Sequence, residues 1–549
     1  MCVKSFLFEQ ESSLVTTGTH ITSPSEKKKV TRAAGIVGAA TLLSRIFGYL
    51  RDMVLASFFG AGIAADAFVA AFRIPNLLRR LFGEGSLSIA FVPVFTEAIA
   101  KGERKDAMRL AVSALKLLLV CLSVVAVIGV LAAPLIIQLI APGFSQTPEK
   151  MALTITLTRI MFPYLVFIGL VALSMGILNV LGHFAAPSIA PVLLNLAMIG
   201  SVFAVSRFSD SQTVQVLGLA VGVLIGGALQ LGLQLPFLVR HGVRFWERSG
   251  LWHPSMKQIG ILILPTIFGA AVYQINIVVG TLLASLLPAG SISYLYYADR
   301  LVQFPLGIFA QATATAVLPS LSRQAADGDR RAMGETFGHA MRLVLFITVP
   351  ATVGLIVLRT PIVALLFQRG AFNLETTRLT SDALLYYVLG LWAFSAVRIV
   401  VSTFYALQDT RTPVKTATIA IAANILFGIA LMGPMQHCGL ALATSLSSMV
   451  NLMLLLFVLK KKMGAIQWRP IFVSCSKSLV ASGVMAVVLL ALCQYIFPPA
   501  SAPGPLRLLI GIGLAIIGGV GTYFTLSWAL KIPEGELVLG LIRKRFGRL

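Results

Sequence analysis

"LLSRIFGYLRDMVLASFF", residues 42–59, is apolar enough to span a bilayer, yet it carries Arg45, Arg51 and Asp52. On a helix Arg45, Gly48 and Asp52 fall at i, i+3 and i+7 and make one stripe, with Ser44 and Arg51 on a neighbouring one. An ionisable group at bilayer depth costs about 2.5–3.5 kcal/mol on insertion scales, so such a sector turns toward a cavity or a partner. The stretch reads as one wall of a membrane bundle with a polar interior.

The rest of the chain agrees with that reading. Of 549 residues 57% are hydrophobic and 12% charged, about half the charged share of a soluble domain. Apolar runs of bilayer length, about 20 residues each, recur near 33–59, 62–92, 108–133, 152–180, 186–206, 214–239, 258–287, 291–320, 338–358, 380–406, 414–433, 438–459, 472–497 and 506–530. The fold class is an all-α polytopic membrane protein with about 14 transmembrane helices. The net charge of +23 is spread over short loops, as topology signals are, and not gathered into a nucleic-acid patch. Residues 1–32 are polar and show no signal-peptide pattern.

Charge asymmetry orients the spans. "KGERKDAMR", "RHGVRFWERSG", "RQAADGDRRAM", "QDTRTPVK", "KKKMGAIQWR" and "RKRFGR" all lie on one side, while "LPAGS" and "GPMQH" on the other hold no Lys or Arg. The connections on that side are nearly free of Lys and Arg, although the one after span nine carries Arg359, Arg369 and Arg378. The positive-inside rule makes both termini cytoplasmic.

A weak repeat divides the chain. "PVFTEAIAKGERKDAM" from Pro93 aligns without a gap on "PSLSRQAADGDRRAMG" from Pro319, 226 positions on, and the same offset brings Pro187 onto Pro413. Six spans per repeat leave both halves in one orientation, related by an axis along the membrane normal. The expected organisation is a tail (1–32), an N-lobe of six spans (33–240), a cytoplasmic linker (241–257), a C-lobe of six spans (258–462) and a segment with two further spans and a basic end (463–549).

Further charges lie inside the spans. In "AFRIPNLLRRLFGEGSLSIAFVP" Arg73, Asn76 and Arg80 share a face, Arg79 lies beside it and Glu84 follows, while Pro75 and "GEG" are expected to interrupt the helix. "YLYYADRLVQFPLG" adds Asp299 and Arg300, and span ten adds Arg398. Arg51–Asp52, Asp299–Arg300 and Arg80–Glu84 are each compatible with a lock between helices. The surplus is less easily explained that way: seven arginines stand against Asp52, Asp66, Glu84 and Asp299. Guanidinium binds phosphate through paired hydrogen bonds, so an arginine-rich cavity suits a phosphate-bearing ligand. The five cysteines form no CxxC pair, no GxxxxGK[ST] occurs, and the six histidines form no HExxH. These absences leave no zinc site, ATPase motif or catalytic constellation to argue from, and the reading is a transporter and not an enzyme.

"SRIFGYLRD", "FRIPNLLRRLFGEGSLSIAFVPVF", "YYADRLVQFPLGIF" and "YALQDTRTPVK" together resemble the MurJ (MviN) lipid II flippase family, within the multidrug/oligosaccharidyl-lipid/polysaccharide exporter superfamily. The resemblance covers the chain after residue 32. It implies two six-helix lobes around a cationic cavity, with two C-terminal helices lining a groove for an undecaprenyl tail. By motif position Ser44, Arg45, Arg51, Asp52, Asn76, Arg79, Glu84, Asp299 and Arg300 match residues used in or around that cavity. Asp66 matches an acidic position nearer the outer side, and Arg398 a basic one. Some relatives carry an acidic sodium ligand in span seven, where this chain offers Gln274 and Asn276; the departure argues against sodium coupling.

The expected function is translocation of lipid II, the undecaprenyl-pyrophosphate-linked peptidoglycan precursor, across the bacterial cytoplasmic membrane by alternating access. Arg45, Arg51 and Arg300 would take the pyrophosphate, Arg79 the headgroup, and Gly511, Gly518 and Gly519 would let the tail approach the last span. No cofactor is implied, and the membrane potential is the expected energy source. Lipid II and membrane lipids are the expected partners, with other cell-wall synthesis proteins open and nucleic acid excluded. An exporter of another undecaprenyl-linked glycan and a cation-coupled multidrug exporter remain alternatives.

Overall fold

With no water to bond exposed peptide groups, an apolar chain in a bilayer must satisfy its backbone internally, and here it does so as helices. A computed structural model describes residues 24–81, 87–245, 250–464, 466–497, 504–536 and 540. In chain order the helices are α1 (Pro24–Phe59), α2 (Ile63–Leu81), α3 (Leu87–Ala100), α4 (Arg104–Leu131), α5 (Ala133–Ile140), α6 (Pro148–Met161), α7 (Tyr164–Val180), α8 (Ala185–Ser206) and α9 (Gln212–Arg240). After a connection come α10 (Met256–Ser285), α11 (Ser291–Pro305), α12 (Gln311–Ala326), α13 (Arg330–Phe367), α14 (Leu374–Val388), α15 (Leu391–Ala406) and α16 (Arg411–Met463). Then α17 (Trp468–Ile496) and α18 (Pro505–Ala529) complete the set.

Each of the fourteen apolar stretches coincides with one helix, a helix pair, or one arm of α16. Nine helical runs among the described residues are long and apolar enough to cross a bilayer, and the α14–α15 pair, bent by 42°, makes a tenth. Charged side chains interrupt the apolar runs of α1 and α2. α16 counts once although it holds two arms: the chain reverses after Pro434, with Gln436 at φ 49°. A Cβ at Gly439 would sit 2.2 Å from the Leu431 carbonyl oxygen, so only glycine permits this close return.

Pro75 does not end its helix; α2 runs through it to Leu81. Membrane helices tolerate proline where neighbours cover the freed backbone group. Pro305 does mark a change, for α11 gives way there to a single π turn, Leu306–Ala310, before α12. The side chain of Arg80 and the whole of Glu84 lie outside the described residues, as do residues 1–23 and 541–549.

The repeat is visible in the helix starts. At the offset of 226, α4 maps onto α13, α6 onto α14 and α8 onto α16, each to the residue. Gly182 and Gln408, another pair at that offset, both have positive φ (82° and 55°). The halves meet through reciprocal contacts. Gly60 lies against Ala371, and Gly143 lies against Ser285, each so close that a Cβ would fall within 2.5 Å of the opposing carbonyl oxygen. The offset brings 60 onto 286 and 143 onto 369, within two residues of the observed Ser285 and Ala371, so these are near-equivalent contacts seen from each half, as a pseudo-two-fold axis requires. Both occur at the end where the connections are poor in Lys and Arg. Toward the other end the halves part around a cavity.

Candidate functional site: a cationic cavity between the halves

The cavity has a volume of about 940 Å³ and takes its walls from α1, α2 and α10–α12 and from α14–α16. Arg73 and Asn76 on α2, Asp299 and Arg300 on α11 and Arg398 on α15 line it. α2 and α11 are repeat counterparts, so the polar sectors of two equivalent helices converge on one space.

Asp52 is the hub of its charge-poor end. It is 2% exposed, and its Oδ1 accepts from Arg51 Nε at 3.1 Å, Arg51 Nη2 at 2.7 Å and the Tyr296 hydroxyl at 3.0 Å. Its Oδ2 pairs with Arg300 Nε at 3.3 Å. Arg51 also donates to Asn195 Oδ1 at 3.1 Å. Arg51 is thus buried behind the wall, held by Asp52 and Asn195. Arg300 keeps its side chain 40% exposed, donates to the Tyr296 hydroxyl at 3.0 Å and lies over that ring, 5.0 Å from its centroid. The Tyr49 hydroxyl donates to the Arg300 carbonyl at 3.0 Å, a second tie between α1 and α11.

The other expected residues have separate partners. Arg45 is exposed, with its guanidinium about 3.3 Å from where a Cβ on Gly307 would stand, beside the π turn. The Ser44 carbonyl accepts from Asn195, and Arg79 Nε donates to Asn76 Oδ1 at 3.0 Å. Arg398 Nη1 donates to Gln311 Oε1 at 2.6 Å across the C-half wall.

Asp66 stands apart from the cavity in a closure of its own. It is 1% exposed and accepts from Lys150 Nζ at 2.7 Å, the Gly290 N–H at 2.7 Å, and both the backbone N–H and the hydroxyl of Ser293, at 2.9 and 2.6 Å. One carboxylate so joins α2 and α6 of the first half to the α10–α11 turn of the second.

Gly511, Gly518 and Gly519 face α17, where a Cβ would meet Ile496, Leu492 and Leu489 respectively within about 3 Å. They are the packing surface between the last two helices. Gly511 also borders a small apolar pocket with Leu506, Ile510 and Leu514.

Sequence reasoning singled out neither Asn195 nor Lys150. Asn195 is one amide in an apolar span, and Lys150 sits just before span four, where a cation reads as a loop residue. Arg73 was visible in the sequence but not separable from a cation reaching for the membrane surface. Here its Nε is buried without a hydrogen-bond partner at the cavity wall.

A family model described as "Lipid II flippase MurJ" matches residues 55–502. The chain belongs to the MurJ lipid II flippase family. Among MurJ relatives, the "Probable lipid II flippase MurJ" of Vibrio cholerae is 41% identical over 435 residues, covering 78% of this chain and 82% of that protein. The "Lipid II flippase MurJ" of Burkholderia cenocepacia is 34% identical over 505 residues, covering 91% and 97%. A solved structure, "Lipid II flippase MurJ, inward closed conformation", superposes with a TM-score of 0.75 at 29% identity, covering 90% of this chain and 99% of that one. An inward-facing MATE multidrug transporter of the MOP superfamily gives 0.64 at 15% identity, covering 79% and 98%, a likeness of fold alone. The chain is a multi-pass membrane protein of this bacterial family.

Proposed function

We propose that this lipid II flippase for peptidoglycan synthesis captures the pyrophosphate of its substrate on the α2–α11 wall, with Arg300 and Arg73 as the contacting cations. The observation that carries the proposal is the Arg300 side chain, 40% exposed in the cavity wall. Asp52 and Tyr296 hold it from one side, leaving donors toward the cavity. Arg51 then acts through Asp52 as a positioning residue, and Arg45, beside the π turn, is a cation that a moving substrate can reach. Arg79 holds Asn76 at the cavity lip.

The positive-inside rule assigns the charge-rich end to the cytoplasm. The cavity then faces inward, and the closure at Asp66, Gly60 and Gly143 lies on the outer side. Rocking of the lobes, 33–240 against 258–462, would open that closure while the prenyl tail stays in lipid along α17 and α18. An outward-moving negative charge gains about 2.3 kcal/mol per 100 mV from the membrane potential. Sodium coupling finds no support at span seven. Asn424 donates to Asn276 at 2.9 Å, so a neutral amide pair, without a carboxylate, occupies this position.

Depletion in the native cell, with outer-leaflet lipid II measured by an externally added probe, tests the phosphate assignment. Arg300→Ala is expected to reduce flipping at least tenfold at normal membrane levels. Arg300→Lys should rescue poorly, because an ammonium lacks the paired donors. Wild-type flipping by Arg300→Ala would refute the assignment.

A further inference from the structure

The two sides of the cavity differ in kind. Arg73, Asp299 and Arg300 line it from α2 and α11, whereas among the described residues α10 and α16 contribute no charged side chain to it. They contribute amides and hydroxyls instead. Gln274 and Asn276 come from α10, and Asn424 from the first arm of α16. The second arm supplies Thr444, Ser447, Ser448 and Asn451, at the i, i+3, i+4 and i+7 spacing of one helix face.

The hydrogen-bonding state of that face says what it can accept. Thr444 Oγ1 donates to the Leu440 carbonyl at 3.0 Å, and Ser447 Oγ donates to the Thr444 carbonyl at 2.9 Å. With their protons committed to the helix backbone, both hydroxyl oxygens present lone pairs to the cavity. Asn451 Oδ1 is buried without a hydrogen-bond partner on the same face. A buried acceptor left unmade is costly, and such groups are normally satisfied by protein, water or ligand. The side-chain NH2 groups of Gln274 and Asn276 add donors. A neutral wall of acceptors with a few donors matches amide N–H and hydroxyl groups better than a phosphate, which brings only acceptors and negative charge.

We propose that the α10–α16 wall is a subsite for the uncharged, amide- and hydroxyl-bearing sugar portion of the lipid-linked substrate, with Asn451 as its specificity-determining residue. This rests on the reading that the opposite wall takes the pyrophosphate, and it divides the cavity by chemistry. The wall accounts for selection of a glycan-bearing lipid over a bare prenyl pyrophosphate, which the arginines alone would bind equally well.

Two probes separate the walls: lipid II and undecaprenyl pyrophosphate, which lacks the sugars, each titrated against the purified full-length protein in nanodiscs. Asn451→Leu, close in volume, is expected to weaken lipid II binding fivefold to tenfold, the scale of one hydrogen bond, and to leave undecaprenyl pyrophosphate within twofold of wild type. A Ser447→Ala/Ser448→Ala double variant carries the same comparison should Asn451→Leu not fold. Arg300→Ala should weaken both probes. Unchanged lipid II binding in the Asn451 or double-serine variants, or an equal loss for both probes, overturns the subsite. Unchanged binding of both probes by Arg300→Ala instead overturns the phosphate reading beneath it.

Discussion

Asp52 shows what one carboxylate does when guanidinium groups from both halves converge on it. Arg51 and Arg300 each need a counter-charge at bilayer depth, and Asp52 serves both, with the Tyr296 hydroxyl completing its shell. Removing one partner of a buried pair costs about 3–5 kcal/mol, because the remaining charge stays desolvated. Asp52→Ala strands two guanidinium groups and is expected to fall at the upper end of that range. Arg51→Ala leaves Asp52 paired with Arg300 and should cost roughly 1.5–3 kcal/mol, the worth of hydrogen bonds to a charged group. Thermal unfolding of the two purified variants gives the order, and an Arg51→Ala protein less stable than Asp52→Ala would contradict the hub assignment.

At the scale of the element, α16 depends on one residue just outside it. Asp409 accepts from the backbone N–H groups of Arg411 and Thr412, at 3.1 and 3.0 Å, which caps the start of the helix. It also pairs with Lys462 near the far end of the hairpin, so one carboxylate clips the two ends of α16 together. Burial raises the Asp409 pKa, but the hydrogen bonds from Lys462 and Thr412 outweigh it and leave the group at about 2, below the usual 3.8. The depressed folded value means the unfolded chain binds the proton first. The stabilisation is therefore full above pH 4 and is lost as pH falls through about 2. Asp409→Ala should cost about 1 kcal/mol at neutral pH, as for other lost helix caps. The gap in melting temperature between wild type and Asp409→Asn should narrow from pH 5 to pH 3, and a constant gap would show that the clip is not ionic.

For the whole molecule the decisive feature is the closure between the halves. The Ala371 N–H donates to the Ser57 carbonyl at 2.8 Å, so two backbones touch there. Alternating access requires that contact to separate in each cycle. A Ser57→Cys/Ala371→Cys variant, made with the five native cysteines replaced, is expected to crosslink in the resting protein. The crosslinked form should stop flipping and the reduced form recover. Continued flipping by fully crosslinked protein would rule out opening at this end.

Much of this was legible in the sequence. The fourteen helical stretches, the repeat at 226 positions and the ionisable residues inside the spans are local properties. A bilayer permits only self-bonded backbone, and hydropathy alone then dictates where helices lie. What the sequence left undecided is which charge answers which. It displayed Arg51, Arg300 and Asp66, but not that Arg51 is withdrawn behind Asp52 while Arg300 faces the cavity. Nor did it show that Asp66 is matched by Lys150 and the Gly290–Ser293 turn. Arg51 meets Asn195 across 144 positions, and Asp66 meets Ser293 across 227. No periodicity encodes such pairs. The first exists because α1 packs on α8 within one half, the second because the two halves pack against each other, and both packings are decided by the summed fit of many side chains along whole helix faces.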